Sequence, residues 1–500
     1  MLAYGTQAFY FLNNNKSRGA TPLGDNAILA TGAYLPLLRF DRTAAAKALR
    51  WSGLGGGQKG RRAVAAHDED ALTMAVEAAR LATADAPAPG TIIFGSTSAP
   101  FTERAHGTLV GEALNLSPDI RSLDVAGCRR AGFAALLDRL GQSGRTSLVT
   151  TGERRPVKPG SSQELGWGDG AAAALVGPGE GLARLLGQAS INRDLVDVYA
   201  SAGRPAPYAA EERWVRDIAV AEILAPAIRT ALAEAGVKPG DVTLAAVPDP
   251  VSGTYKAAAA ACGLKAPNVC ADIQAAAGDL GAALPLFGLA LALERAAPGD
   301  VVLVAGFGSG CDVGVFRVTA NPARPSAGPA LAEGHGFDEY VRLLSLEGAV
   351  DLDWGPRSEA DPKVPASVLW RGARAMHGFI GGICRKTGVV QFPKSRISVS
   401  PGSHEIDTQD DIRLVEVPAR VVSITADRLN FSPDPPFHFG LIQFENGARV
   451  MMEMVDTGRT TPAVGDAMRM RFRIKAADRK RGFRTYFWKA APLARPHLEA

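Results

Sequence analysis

Ser122-Leu123-Asp124-Val125-Ala126-Gly127-Cys128-Arg129-Arg130-Ala131-Gly132-Phe133-Ala134-Ala135-Leu136 reads as a buried strand, a turn of small residues and the start of a helix. A thiol at such a junction lies near a helix N-terminus, where unpaired N–H groups and the dipole favour a thiolate. An activated Cys128 makes the chain an acyl-transfer enzyme. An inert one leaves the same architecture with another role.

The bulk numbers set wide limits. Five hundred residues exceed one simple core, so two or three domains are expected. The 46% hydrophobic and 21% charged residues are ordinary for a globular protein. A net charge of +4 calls for no nucleic-acid partner. The five cysteines, Cys128, Cys262, Cys270, Cys311 and Cys384, are odd in number and mostly lie in apolar or glycine-rich runs. That suits reduced thiols in a cytoplasm better than a disulfide framework. The longest uncharged apolar stretch, Leu280–Leu293, is too short to span a membrane and is interrupted by Pro285. Residues 1–24 read as a disordered leader or an upstream start, with folded sequence beginning near Asn26.

The chain echoes itself. A helical run, Ala71–Ala82, leads through Pro89-Gly90 to the strand Thr91–Phe94, and Ile223–Ala235 leads through Pro239-Gly240 to the strand Val242–Val247. Ser122–Val125, a helix through Leu140 and the strand Ser147–Thr150 are matched by Asn268–Ile273, a helix through Leu293 and the strand Val301–Ala305. Each half closes on a glycine-rich β segment, at Gly168–Gly177 and at Gly306–Phe316. Alternating strands and helices predict mainly parallel sheets covered by helices. Duplication at this period predicts two equivalent α/β halves in a five-layer α-β-α-β-α stack, with a site between them. From Leu414 the texture becomes all-β. Ala419–Ile424, Phe439–Phe444, Ala448–Val455, Ala467–Ile474 and Arg484–Lys489 read as short strands, with a hairpin signal at Asn446-Gly447. These predict a small barrel of the OB type.

The duplicated part resembles the thiolase superfamily, nearest to 3-hydroxy-3-methylglutaryl-CoA synthase and β-ketoacyl-ACP synthase III. The carrying motifs are Phe94–Phe101, the Cys128 segment, Gly168–Ala173 and Gly306-Phe307-Gly308-Ser309-Gly310. Gly378–Pro393 and Pro435-Pro436-Phe437 resemble the DUF35 family, a zinc ribbon followed by an OB fold. The resulting division is a leader at 1–24, thiolase-like halves at 25–178 and 179–320, and a linker with helical segments at 321–375. A degenerate ribbon-like knuckle at 376–412 and an OB fold at 413–495 complete it. The resemblance implies an acyl-CoA ligand, no resident cofactor beyond CoA thioester as substrate, a homodimer and a thiolase-fold partner protein.

The sequence departs from these families where their chemistry sits. In the knuckle Cys384 takes the first zinc-ligand place, but Thr387 fills the second, and the later pair falls near Ser398 and Ser403. One thiol does not hold a structural zinc. No metal is expected, and packing of Phe392 and Ile397 is expected to hold the knuckle. In the body the family Glu falls at Thr97, the His at Pro248 and the Asn at Asp279. Anchoring on Ala131-Gly132 puts Arg129 at the nucleophile position. One extra residue in the turn restores Cys128, and the shift between them rotates a helical side chain by about 100°.

Each candidate has a plain alternative. Cys128 is a thioester-forming nucleophile or a small residue at a tight junction. Asp279 is a general base or a helix N-cap. Gly308, Ser309 and Gly310 offer N–H groups to an oxyanion or form a glycine-rich turn. Arg129 and Arg130 bind an anionic part of the substrate, or lower the Cys128 pKa. Asp249 and Asp169 read as turn residues, His106 as a surface or interface residue, and Cys262, Cys270 and Cys311 as core residues. Arg469, Arg471, Arg473, Lys475, Arg479, Lys480, Arg481 and Arg484 receive CoA phosphates or an acidic partner, or form a solvated barrel face. Two functions follow. One is an enzyme making or breaking a C–C bond in an acyl-CoA. The other is a non-catalytic acyl-CoA-binding scaffold that stabilises a partner enzyme.

Overall fold

A computed structural model describes residues 24–54, 59–352, 366–430, 432–458, 461–478 and 482–493. Residues 1–23 of the expected leader, and Arg479, Lys480 and Arg481 of the basic cluster, lie outside the described residues.

The first described strand starts at Asn26 and pairs antiparallel with Gly170–Pro178. Beyond that pair, Ser147–Glu153, Thr91–Gly95 and the edge strand Arg121–Val125 extend the sheet, the last three running parallel. The second half repeats this order with Ala183–Asn192, Gly310–Val318, Val301–Phe307 and Val242–Ala246. Between the halves the pairing narrows to one residue pair, Ile28 with Ala183.

One expected strand is absent. Asn268–Ile273 keeps a single bridge, Asn268 to Ala245, and then turns into the helix Val269–Ala276. The Asn268 carboxamide is the cause. It accepts from the Cys270 N–H and caps the helix start. Val269, Cys270, Ile273 and Ala277 then fall at helical spacing on the buried side.

Five layers result. Helices Ala131–Leu140 and Leu284–Arg295 form the middle one, and Phe133, Leu136 and Leu137 pack with Val149 and Ala174 of one sheet and Val302 and Val304 of the other. Ala71–Thr83 and His106–Ala113 cover the outside of the first sheet, and Ala225–Ala235 and Thr254–Cys262 that of the second. Gly132 sets the closest approach. A Cβ there would lie 2.3 Å from Thr151 Cγ2, so a side chain would push the middle helix off the strand ends.

The stretch read as a linker is docked on the body. Glu294 accepts from the N–H groups of Ser326, Ala327 and Gly328, and His335–Phe337 adds a parallel strand to Leu38–Asp41. The C-terminal strands form a ring. Ala419–Val421 pairs with Phe437–Phe444, which pairs with Arg449–Glu453. A bridge from Met454 to Ala490 reaches Phe483–Pro492, which pairs with Ala467–Asp478 and so back to Ala419. In the knuckle Phe392 packs against Phe379 and Phe487, whereas the Ile397 side chain is 55% exposed and its backbone, bridged to Ile406, makes the contacts instead. Hydroxyls of Thr387 and Thr408 hydrogen-bond the Cys384 thiol and lower it to about 6.

Of the basic cluster, Arg471 and Arg473 are buried against acids of the body, whereas Lys475 is exposed and pairs with Glu453 of the barrel. Arg473, fully buried, contacts Glu69 at 3.2 Å, Asp456 at 3.0 Å and the Tyr34 hydroxyl at 3.2 Å. Lys489 meets Asp68 at 3.0 Å, while Arg484 and the Tyr486 hydroxyl both donate to Asp70 at 2.9 Å. Arg471 donates to Glu77 at 2.6 Å, and the Phe472 N–H donates to the same carboxylate. Body and barrel also share one continuous apolar cluster, from Leu72 and Phe94 to Phe472 and Trp488.

Burial pushes the Glu77 carboxyl up, but Arg80, Arg471 and Arg473 more than offset this and bring it down to about 2. Its ordinary value is 4.5, so its contribution is full above that pH and is lost as pH falls towards 2. Thermal unfolding followed from pH 7 downwards is expected to show this loss. Glu77→Gln is expected to flatten the acid limb and to destabilise the protein at pH 7 by about 3 kcal/mol, because Arg471 is left buried without its carboxylate.

Candidate active site between the two halves

The parallel strands Thr91–Gly95, Arg121–Val125 and Ser147–Glu153 end on one side of the first sheet. In open α/β sheets the carboxyl ends of parallel strands are where ligands bind. Three segments leave those ends: Ser96–Phe101, the Cys128 turn and Glu153-Arg154-Arg155. The segment Ala277–Ala283 and the Gly308–Gly310 turn of the second half close over them.

Gly127 has φ +94°, which glycine adopts without strain, and Cys128 follows it half-buried in the turn. The helix begins only at Ala131, with Arg130 at its N-cap, so Cys128 precedes the first helical turn. Arg129, next in the turn, faces the second half. A Cβ on Gly308 would lie 3.2 Å from the Arg129 nitrogen. The Arg129 guanidinium hydrogen-bonds the Asp197 carboxylate. Burial alone would lower Arg129, but Asp197, Asp279 and Cys128 raise it above its ordinary value.

Arg130 is a clamp. Its guanidinium donates to Asp312 at 2.7 Å, Asn192 at 2.5 Å and the carbonyls of Gly308 and Ser309. It ties the first half to the glycine turn and is not open to substrate. The Gly308 N–H donates to the Gly310 carbonyl, so Gly308 does not supply that donor to an oxyanion. Ser309 holds φ +49° and Gly310 φ +117° in the same tight reversal.

Asp279 is not a helix cap. Its carboxylate accepts from Arg155 at 2.8 Å and from the Gly281 N–H at 2.7 Å. Its backbone bridges to Trp167, and Arg155 lies 3.9 Å over the Trp167 ring. Burial pushes Asp279 up, but Arg155 and Arg129 more than offset this and hold it below the usual carboxylate value. It stays ionised and oriented.

A second carboxyl, Glu153, is fully buried one strand over. It accepts from the Thr97 N–H at 2.5 Å, the Thr97 hydroxyl at 2.9 Å and the Ser98 hydroxyl at 3.0 Å. The family Glu expected at Thr97 is thus matched by a carboxyl that reaches Thr97 from the neighbouring strand. Burial holds Glu153 above its ordinary value, although Arg155 and the Thr97 and Ser98 donors pull it down.

Other candidates have structural work. Asp249 accepts from the Gly253 and Tyr255 N–H groups and orders its loop, and Asp169 accepts from the Ala65 N–H. His106 is buried, not superficial. Its Nδ1 lies 2.8 Å from Asp124, and its Nε2 accepts from the Phe101 N–H. Burial raises the thiols of Cys262, Cys270 and Cys311. Arg155, Glu153, Trp167 and Asp197 went unnoticed in the sequence. Their one local signal is the charged run Glu153-Arg154-Arg155 at the end of a buried strand.

No family model matches the chain. The hydroxymethylglutaryl-CoA synthase of Aeropyrum pernix is 29% identical over 352 residues, which is 67% of this chain and 94% of that protein. That of Pyrococcus furiosus is 27% identical over 313 residues, 60% of this chain and 88% of that protein. A crystal structure of HMG-CoA synthase complexed with CoA matches with a TM-score of 0.54 at 16% identity, over 68% of this chain and 95% of that one. The 3-oxoacyl-[acyl-carrier-protein] synthase III of Aquifex aeolicus matches with a TM-score of 0.50 at 22% identity, over 58% and 99%. The body of the chain has the thiolase fold.

The contacts around Asp279 separate two substitutions. Asp279→Ala takes the 2.8 Å partner from the buried Arg155, leaving it Glu153 at 3.9 Å, and is expected to cost about 3 kcal/mol of stability. Cys128→Ala changes a half-buried turn residue and is expected to fall within about 0.5 kcal/mol. Thermal unfolding of the two variants side by side checks the difference.

Proposed function

We propose that the chain makes or breaks a C–C bond in a CoA thioester, by aldol or Claisen chemistry, in the cleft between its two thiolase-like halves. The observation that carries this reading is the set of buried charges there. Arg129 and Arg155 lie beside the ionised Asp279 and the raised Glu153, at the carboxyl ends of parallel strands. Relatives that cover nearly their whole length on this chain are hydroxymethylglutaryl-CoA synthases, which supports the substrate class.

The chemistry needs an enolate of the thioester, whose negative charge lies on the carbonyl oxygen. A guanidinium held in a water-poor cleft favours that charge where it develops. Arg129 is the nearest candidate, since it faces the second half at the helix start. In the bond-breaking direction a carboxylate takes the proton of the β-hydroxyl, the Cα–Cβ bond breaks, and its electron pair becomes the enolate. Asp279 is the base in this reading, and Glu153 returns a proton to carbon. An acyl-cysteine is not needed for either direction. A Claisen route starting with acyl transfer to Cys128 is the variant that would need one.

Three further readings go with this proposal. The C-terminal ring follows the strand order of an OB barrel, 1-2-3-5-4 and back to 1, which supports the OB assignment. The edge strand Arg121–Val125 has a sheet neighbour on one side, which suits pairing with a second copy as a homodimer. All five cysteines are free thiols, in keeping with a reducing cytoplasm.

The test is incubation with 3-hydroxy-3-methylglutaryl-CoA, acetoacetyl-CoA and acetyl-CoA, following thioester consumption and the mass of the Cys128 peptide. Turnover with unmodified Cys128 is the expected result, reduced about 100-fold or more in Arg129→Ala. Acyl mass on Cys128 would move the mechanism to the Claisen route. If no thioester binds or turns over, the proposal is wrong.

A further inference from the structure

We propose that the hydroxyl of Thr97 is a proton relay: the buried Glu153 gives and takes its proton through it, and Ser98 holds the two in line. This rests on the reading above, in which Glu153 returns a proton to carbon, and names the group that carries that proton into the cleft.

Glu153 is the last residue of its strand and is fully buried. A carboxyl so enclosed reaches no substrate carbon by itself. Its Oε2 accepts from two hydroxyls, Thr97 at 2.9 Å and Ser98 at 3.0 Å, and its Oε1 from the Thr97 N–H at 2.5 Å. Of these two partner residues, Thr97 is the exposed one and Ser98 is half-buried. The Ser96 N–H donates to the Val125 carbonyl at 3.2 Å, which sets Thr97 beside the strand end that leads into the Cys128 turn. Ser98 is fixed differently. Its hydroxyl accepts from the Arg154 N–H at 2.8 Å and keeps its own proton for Glu153.

A hydroxyl both donates and accepts, whereas an N–H only donates. While Glu153 is ionised, the Thr97 hydroxyl donates to Oε2. When Glu153 is protonated, Oε2 donates to Thr97 Oγ1, and the proton on Oγ1 turns outward. In the relay step the Oε2–H bond breaks as Oγ1 takes that proton, and the proton already on Oγ1 passes to the enolate carbon. Thr97 ends as it began, a neutral hydroxyl. Glu153 ends as a carboxylate held by the Thr97 N–H and the Ser98 hydroxyl. Arg155, with its Nε at 3.9 Å, is the cation that faces Glu153, and Asp279 faces that same Arg155. Gly170, opposite on the neighbouring strand, and Gly281 of the second half bring no charge, while Arg154 turns its guanidinium to the carbonyls of Glu69 and Leu346. Burial holds the Glu153 carboxyl above its ordinary value despite Arg155, which suits a group that stores a proton. Thr97 is the group that meets the substrate, and Ser98 is a positioning residue.

Infrared spectroscopy of the full chain, with the carboxyl band of Glu153 identified by its loss in Glu153→Gln, tests this without substrate. After a pH jump the band is expected to respond about tenfold more slowly in Thr97→Val, which keeps the shape and loses the hydroxyl, and at the original rate in Thr97→Ser. Ser98→Ala removes a donor to the carboxylate, so it is expected to raise the midpoint of the band without slowing its response. With 3-hydroxy-3-methylglutaryl-CoA, Thr97→Val is expected to lower kcat about 100-fold at unchanged KM, and Thr97→Ser to restore it. An unchanged response rate in Thr97→Val overturns the relay, and so does a slowing of equal size in Ser98→Ala. A slowed band with unchanged kcat overturns delivery of the proton to carbon. If the band slows in Thr97→Val and recovers in Thr97→Ser while the unsubstituted protein consumes no thioester, the relay stands and the C–C bond reading falls.

Discussion

A buried charge must be paired, and that constraint fixes how the parts of this protein sit together. Arg473 and Lys489 lie on barrel strands but are buried beneath the acidic run Asp68-Glu69-Asp70 of the body. In a free barrel those cations would face water, and in a free body the three carboxylates would too. Together they form an interface in which charge meets opposite charge, with the Phe472 N–H donating to the Glu77 carboxylate and the Ile474 N–H to the Asp68 backbone carbonyl. The apolar cluster running through the same contact adds area without direction. The charges supply the orientation, because a shift of one strand residue would leave guanidinium and carboxylate unpaired in a dry place.

The same constraint shapes the cleft. Arg130 reaches across to Asp312 and the glycine turn, Arg155 to Asp279, and Arg129 to Asp197. All three arginines belong to the first half, and their carboxylates belong to the second. The sheets themselves touch through one residue pair, so these ion pairs, with the two middle helices, hold the halves in register. All three pairs are largely buried.

The duplicated halves show why part of the expected machinery reads differently in space. The echo in the sequence correctly locates the equivalent strands around Pro89-Gly90 and Pro239-Gly240. It fails at Asn268, where one capping carboxamide turns an edge strand into a helix. Thr97, read as the loss of a carboxyl, lies in hydrogen-bond contact with Glu153. A carboxyl from the next strand therefore lies at Thr97, and a linear comparison of motifs does not detect that.

Local pattern in the sequence determined the strands and helices of both halves, the tight Gly127 turn and the close approach at Gly132. These depend on periodicity, small residues and positive φ, all of which act within a few residues. It also determined that the Cys128 turn follows the carboxyl end of the strand Arg121–Val125. Tertiary structure alone decided that Arg129 faces the second half and that Arg471 and Arg473 of the barrel are buried. It likewise decided that Asp197, Glu153 and Arg155 belong to the site. The partners in these contacts lie from 56 residues, for Thr97 and Glu153, to 421 residues, for Asp68 and Lys489, apart in the chain. Electrostatic pairing acts through space and leaves no period in the sequence, so only the folded chain reveals which charge meets which.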